Sequence, residues 1–250
     1  MMRRLLLSAG MVFTLLAGTV GCYEERLENE RLVEQSWPAE SVSEIRLKSV
    51  NGTIEVRTTE EPRVILRAEV RTDHDNPEPI KFDVSGGTLD VREKWTERRI
   101  FPFFRHGVGR VRYEILVPEQ TDLDLTTTNG RITSQGVRGE HDFRSVNGRI
   151  EVSTPDAELA ATTVNGRIEA RFTEQFRGAR LRTVNGSVRV WVPEGTEIAA
   201  DVDQVNGSFN SSLPVIVNGR SSSDRAPLEV TTVNGSVTLE QIEGALASGE

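Results

Sequence analysis

Cysteine is nearly missing from this chain. One occurs in 250 residues, Cys22, so no disulfide can form within the molecule and no cysteine-based metal site exists. Histidine is almost as scarce, with His74, His106 and His141 scattered through three unrelated contexts. The sequence also lacks His-Glu-x-x-His, a phosphate loop ending in Gly-Lys-Ser/Thr and a Gly-x-Ser-x-Gly elbow. No metal or cofactor is expected. Basic charge is missing too: the formal net charge is -8, and -10 once the leader with Arg3 and Arg4 is removed, which excludes nucleic acid as a partner. Between Glu44 and Leu239 no stretch carries an apolar stripe at helical spacing.

What is present begins with a leader. Arg3 and Arg4 precede an apolar stretch from Leu5 to Ala17, and small residues lead to Cys22 through Thr19-Val20-Gly21. This is the pattern of an export signal, too short and too interrupted by Ser8, Gly10 and Thr14 for a membrane span. Cys22 stands where a lipoprotein signal places its lipidated cysteine, although Thr19 occupies a position that is usually aliphatic in that pattern. The other reading is an ordinary cleaved signal with an incidental cysteine. Lipidation would tether the mature chain to a membrane through several acyl chains. With Tyr23 next, the lipoprotein resemblance implies an outer-membrane destination, on a periplasmic or surface face. The expected organisation is a signal over 1–21, a lipidated cysteine and polar tether over 22–43, and N-terminal strands over 44–117 with an aromatic and basic insertion at 94–110. A repeat region over 118–240 and a tail over 241–250 follow.

The body alternates apolar and polar residues in period two, as in Ile45, Leu47, Ser49, then Ile54 and Val56, which predicts strands with one buried face. Asn-Gly occurs eight times, at Asn51, Asn129, Asn147, Asn165, Asn185, Asn206, Asn218 and Asn234, and valine precedes seven of them. From Asn129 the pair returns after 18, 18, 20 and 21 residues. A period near twenty marks a stacked array. If the pairs were hairpin turns with positive φ, the valine before each asparagine would face solvent. If they are corners of a coil, with the asparagine in the left-handed region, that valine and the Ile or Val after Gly-Arg/Ser can both point inward. Aligned rungs would also bring asparagine amides within hydrogen-bonding reach of one another. The expected fold is therefore all-β, a solenoid-like stack of short strands with Asn-Gly corners. Its corners are Asn51-Gly52, Asn129-Gly130, Asn147-Gly148, Asn165-Gly166, Asn185-Gly186, Asn206-Gly207 and Asn234-Gly235. A β-sandwich of hairpins is the alternative.

Ser49-Val50-Asn51-Gly52-Thr53-Ile54, the strand ending Ile115-Leu116-Val117-Pro118, and the Val-Asn-Gly units from Asn147 to Asn234 resemble the bacterial putative-adhesin domain family, a domain of unknown function. The resemblance spans roughly residues 40 to 240. It implies a β-solenoid-like fold and an exported location. Members often carry aspartate after the Asn-Gly or Ser-Gly, where this chain has Arg131, Arg149, Arg167 and Arg220.

Two stretches could contact a partner. Arg131, Arg149 and Arg167 follow successive Asn-Gly pairs, with Thr133, Glu151 and Glu169 two positions on. In register they would form a guanidinium column suited to carboxylates, sulfates or phosphates on a polysaccharide or lipid head group; the alternative is a solvated edge of exposed ion pairs. Residues 94–110 gather Phe101, Phe103 and Phe104 beside Arg98, Arg99 and Arg105, fit for a membrane surface or protein groove or for covering an open end of the stack. Asp73-His74-Asp75-Asn76 lacks the donors of a calcium loop and reads as a turn. The expected function is a non-enzymatic envelope lipoprotein whose repetitive surface serves adhesion, ligand binding or envelope sensing, with a polysaccharide or envelope protein as ligand. A carbohydrate-active enzyme on a β-helix scaffold and a structural periplasmic scaffold are the alternatives.

Overall fold

In the computed structural model, residues 29–72, 79–94, 98–101, 104–106, 109–213, 216–217 and 226–242 are described. The signal segment, Cys22, Asp73-His74-Asp75-Asn76, Phe103, Asn218, Arg220 and the tail beyond residue 242 lie outside them. Apart from one short turn at Ala39–Ser41, every regular element among the described residues is a strand.

The first complete unit shows how alternation builds the fold. Strand Glu44–Thr58 buries Ile45, Leu47 and Ser49, turns at Asn51-Gly52, and then buries Ile54 and Val56. Its two halves do not pair with each other as a hairpin would. Residues 44–51 run parallel to 122–129, and 54–57 run parallel to 132–135. Each unit is thus a rung of two strands, one in each of two facing sheets, joined at an Asn-Gly corner. The expected all-β solenoid-like stack is what the chain forms.

One face runs in the order 80–85, 88–93, 44–51, 122–129, 139–147, 157–165, 178–185, 226–234, 198–206, 216–217. The other runs 29–38, 63–72, 109–117, 52–58, 132–135, 150–153, 168–172, 188–192, 237–241, 209–211. Within these two faces pairing is parallel throughout the rungs and antiparallel at the amino-terminal end. A single core continues from Val42 to Leu239. Its clearest feature is the column just past the corners, Ile54, Ile132, Ile150, Ile168, Val188 and Val237, all 0–1% exposed. Burying each such side chain stabilises the fold by about 1.5–3 kcal/mol.

Two expectations need correction. Residues Asn29–Pro38, read as tether, form a strand antiparallel to Arg63–Thr72, and Trp37 from it meets Phe82 at 5.5 Å between ring centres. Those two rings join the edge strands of both faces at that end of the core. The valines before asparagine face outward: Val50, Val146, Val164, Val184, Val205 and Val233 are 37–73% exposed. Thr183 points in and Val184 out, and the phase of the alternation shifts within the corner, so that Val188 points in again. Spatial order departs from chain order, because the rung 226–241 lies between 176–192 and 198–211.

Candidate functional site: the Asn-Gly edge

The corners stack into a continuous edge. Side-chain Nδ2 of Asn129 donates to Oδ1 of Asn51, Asn147 to Asn129, Asn165 to Asn147, Asn185 to Asn165 and Asn234 to Asn185, at 2.9–3.0 Å, and Asn206 donates to Asn234 at 3.2 Å. Seven asparagines form one ladder. Behind six of them the residue two positions earlier is buried, Gln204 behind Asn206 being the exception, and Thr127, Thr163 and Thr183 direct their hydroxyls at the carbonyls of Gly52, Gly148 and Gly166 at 3.5, 3.1 and 3.5 Å.

The glycines are there for closeness rather than for a left-handed backbone. Of the seven corner glycines only Gly207, at φ 152°, has a φ between about +20° and +160°. A Cβ on Gly148, Gly166 or Gly186 would lie 1.6–1.8 Å from the carbonyl oxygen of the glycine one rung below. No rotamer relieves such a contact, because the obstacle is backbone.

At the Asn51 end the ladder meets Glu93, whose carboxylate accepts the Ser49 hydroxyl at 2.7 Å, the Val50 N–H at 3.3 Å and the Tyr113 hydroxyl at 3.2 Å. Burial, and then the Glu93 charge, push the Tyr113 phenol far above its ordinary pKa. Sequence reasoning missed this cap because Glu93 is 42 residues from Asn51 and belongs to no repeat.

Across the glycine column stand Arg131, Arg149 and Arg167, in register because Ile132, Ile150 and Ile168 are. Arg149 pairs with Glu151 at 3.0 Å and Arg167 with Glu169 at 3.2 Å, while Arg131 reaches Glu151 only at 3.9 Å. Three guanidinium groups thus share two carboxylates and stay about half exposed. Each guanidinium has five N–H donors, so these contacts leave donors for a ligand. Between the asparagine and arginine walls runs an open groove of about 520 Å³ lined by Gly148, Gly166 and Gly186, with Ser187 beside it at the Asn185 rung. Phe101 and Phe104, the other proposed contact, lie apart from this groove in sequence, where Arg98–Phe101 and Phe104–His106 form a separate antiparallel pair.

A second groove, about 740 Å³, lies on the outer side of the first face. Glu44, Asp122, Glu140 and Glu158 line it, one per rung. Each stands seven residues before its asparagine, a periodic signal legible in the sequence that the repeat reading passed over. Burial raises the Asp142 carboxyl beside it, opposed by Arg144. His141, on the same rung, is 2% exposed and stacks on Phe143 at 5.3 Å, and burial lowers its pKa to about 4 against a partial opposing pull from Asp122. Among the described residues no cluster of three or more His, Cys, Asp or Glu could hold a metal ion.

Residues 119–240 match the family model described as Toastrack DUF4097. No curated protein matches the chain. Among solved structures, a putative cell adhesion protein from Clostridium sporogenes ATCC 15579 is similar at 10% identity over 86% of this chain and 100% of its own, with TM-score 0.41. A putative adhesin from Bacteroides fragilis NCTC 9343 is similar at 12% identity over 85% and 97%, TM-score 0.45. A putative lipid binding protein from Parabacteroides distasonis ATCC 8503 is similar at 12% identity over 86% and 98%, TM-score 0.36. At such identities and scores none of them determines what this chain binds.

Proposed function

From the match of residues 119–240 to the family model described as Toastrack DUF4097, we propose that this chain is a non-enzymatic, exported lipoprotein of the cell envelope that binds through its Asn-Gly edge. Cys22 is its lipid anchor and, with Tyr23 following, the outer membrane its destination. The ligand is an extended polymer carrying carboxylate, sulfate or phosphate groups. The observation that supports this most is the in-register column of Arg131, Arg149 and Arg167, of which Arg149 and Arg167 line an open groove with Asn147, Asn165 and Asn185 of the ladder. Rungs are ~4.8 Å apart, so a repeating ligand would meet a donor from each wall at every step. Guanidinium forks suit such oxyanions.

The Cys22→Ser chain, probed on arrays of acidic and neutral glycans and on anionic vesicles, tests the reading. Retention on acidic glycans, reduced at least tenfold in Arg131→Ala/Arg149→Ala/Arg167→Ala, is the expected result; vesicle binding alone would make a lipid head group the ligand. Equal binding by both proteins would remove the groove from the function. The anchor is tested separately, by loss of membrane fractionation and of lipid mass in the Cys22→Ser chain.

A carbohydrate-active enzyme is the second reading, favoured by the first-face groove, where Asp122, Glu140 and Glu158 gather near Arg177 and Arg180. Such chemistry needs two carboxyl groups in opposite protonation states. New chain ends released from a polyuronate by the parent chain but not by Glu140→Gln would replace binding with catalysis.

A further inference from the structure

The rung 226–241 sits in a slot whose two walls, 176–192 and 198–211, both precede it in the chain. Its seating bonds are those of any rung in the stack. Gly186 N and Val188 N donate to Asn234 O and Ser236 O at 3.0 and 2.9 Å, just as Gly166 N and Ile168 N donate to Asn185 O and Ser187 O at 3.1 and 2.9 Å. On the other wall Gly235 N and Val237 N donate to Asn206 O and Ser208 O, both at 2.9 Å. The slot therefore offers the same main-chain hydrogen bonds that neighbouring rungs of the stack make with one another.

One contact is particular to the inserted rung. Glu229 accepts from Arg180 at 2.8 Å and from Arg182 at 2.7 Å. Even this lock travels with the rung, because all its partners are on the wall that receives it. A rung delivered by another copy would make the same hydrogen bonds, bury the same Leu228, Val230, Val237 and Leu239, and carry the same Glu229. Intramolecular and intermolecular insertion then differ only in the effective concentration set by the connecting segment.

We propose that the slot between 176–192 and 198–211 accepts the 226–241 rung of a second copy, so that the protein forms rung-exchanged dimers. Exchange of an identical element is a low-cost route to a two-fold dimer. It is independent of what the corner groove binds.

Residues 182 and 231 face each other across the slot, which supplies the test. Two Cys22→Ser chains with different mass tags, one carrying Arg182→Cys and the other Thr231→Cys, are unfolded together, refolded at rising concentration and oxidised with copper phenanthroline. The expected product is a mixed disulfide of twice the monomer mass that grows with concentration and is lost on reduction. Light scattering of the refolded Cys22→Ser chain should show the same rise. A double variant that closes its own disulfide while the mixture gives no mixed product overturns the proposal, including when dimers form by another surface. So does a Cys22→Ser chain that stays monomeric at every refolding concentration.

Discussion

Asn234 donates its side-chain amide to Asn185 at 2.9 Å, although 49 residues separate them and Asn206 is the next copy in sequence. The bond belongs to a ladder whose order is set by stacking rather than by the order of synthesis. Its behaviour under substitution separates the contributions of the asparagine, the glycine and the inserted rung.

Gly166→Ala places a methyl 1.8 Å from the Gly148 carbonyl oxygen, and overpacking costs about 1–3 kcal/mol, here at the upper end because backbone must move. Gly195, with φ 78° and open space around it, gives the contrast. Asparagine tolerates the left-handed region, so Gly195→Asn should be nearly neutral while Gly166→Asn is as damaging as alanine. Urea midpoints of the three variants check this.

Asn165→Ala removes two ladder bonds, one to Asn147 and one from Asn185. At about 0.5–1.5 kcal/mol each, the loss should be roughly twice that of Asn206→Ala, which removes one. Equal losses would mean that the bonds do not act along the ladder.

His141 makes stability depend on acid. Its pKa is lowered from 6.5 to about 4 in the folded chain, so between those values the unfolded state binds more protons than the folded one and stability rises with pH. The protection is complete above the unfolded value and lost as pH falls toward 4, an upper bound of about 3 kcal/mol. His141→Leu, flanked in its column by Leu123 and Leu159, should flatten the difference between denaturation at pH 4.5 and at pH 7.

Glu229→Gln weakens the ion pairs that hold the inserted rung to Arg180 and Arg182. Hydrogen bonds from Arg182 and then Arg180 depress the Glu229 pKa, so its contribution is present above the ordinary carboxylate value and lost as pH falls through the depressed one. These pairs are exposed and contribute only about 0.2–1 kcal/mol each. Amide exchange should accelerate in 226–241 while 122–165 keeps its protection.

Much of this architecture was legible before any coordinates. Ile45, Leu47, Ile54 and Val56 repeat at period two because a sheet has two sides, and Asn-Gly recurs near every twentieth residue because each rung turns once. The direction of Val184 was misread, since the strand keeps its alternation from Leu181 through Thr183 and the phase shifts only after Val184, before Val188. The strand Asn29–Pro38 escaped notice because only Val33 and Trp37 from it pack on the core, leaving no two-residue pattern. Rung order could not be read from Asn185, Asn206 and Asn234, whose local sequences are equally good neighbours. Of the candidate site, the Arg131, Arg149 and Arg167 column followed from the period, whereas the groove beside it depends on how bare the glycine column leaves the edge.

The ladder has a direction. Every asparagine amide points its N–H toward the Asn51 end, while the backbone amides of Gly130, Gly148, Gly166, Gly186 and Gly235 point theirs toward the Asn206 end. Columns of opposed dipoles lie side by side, and their fields cancel laterally, unlike the aligned peptides of a helix. Lengthening the stack therefore accumulates little electrostatic polarity along this edge, and rungs can be added without a growing demand for charge at either end.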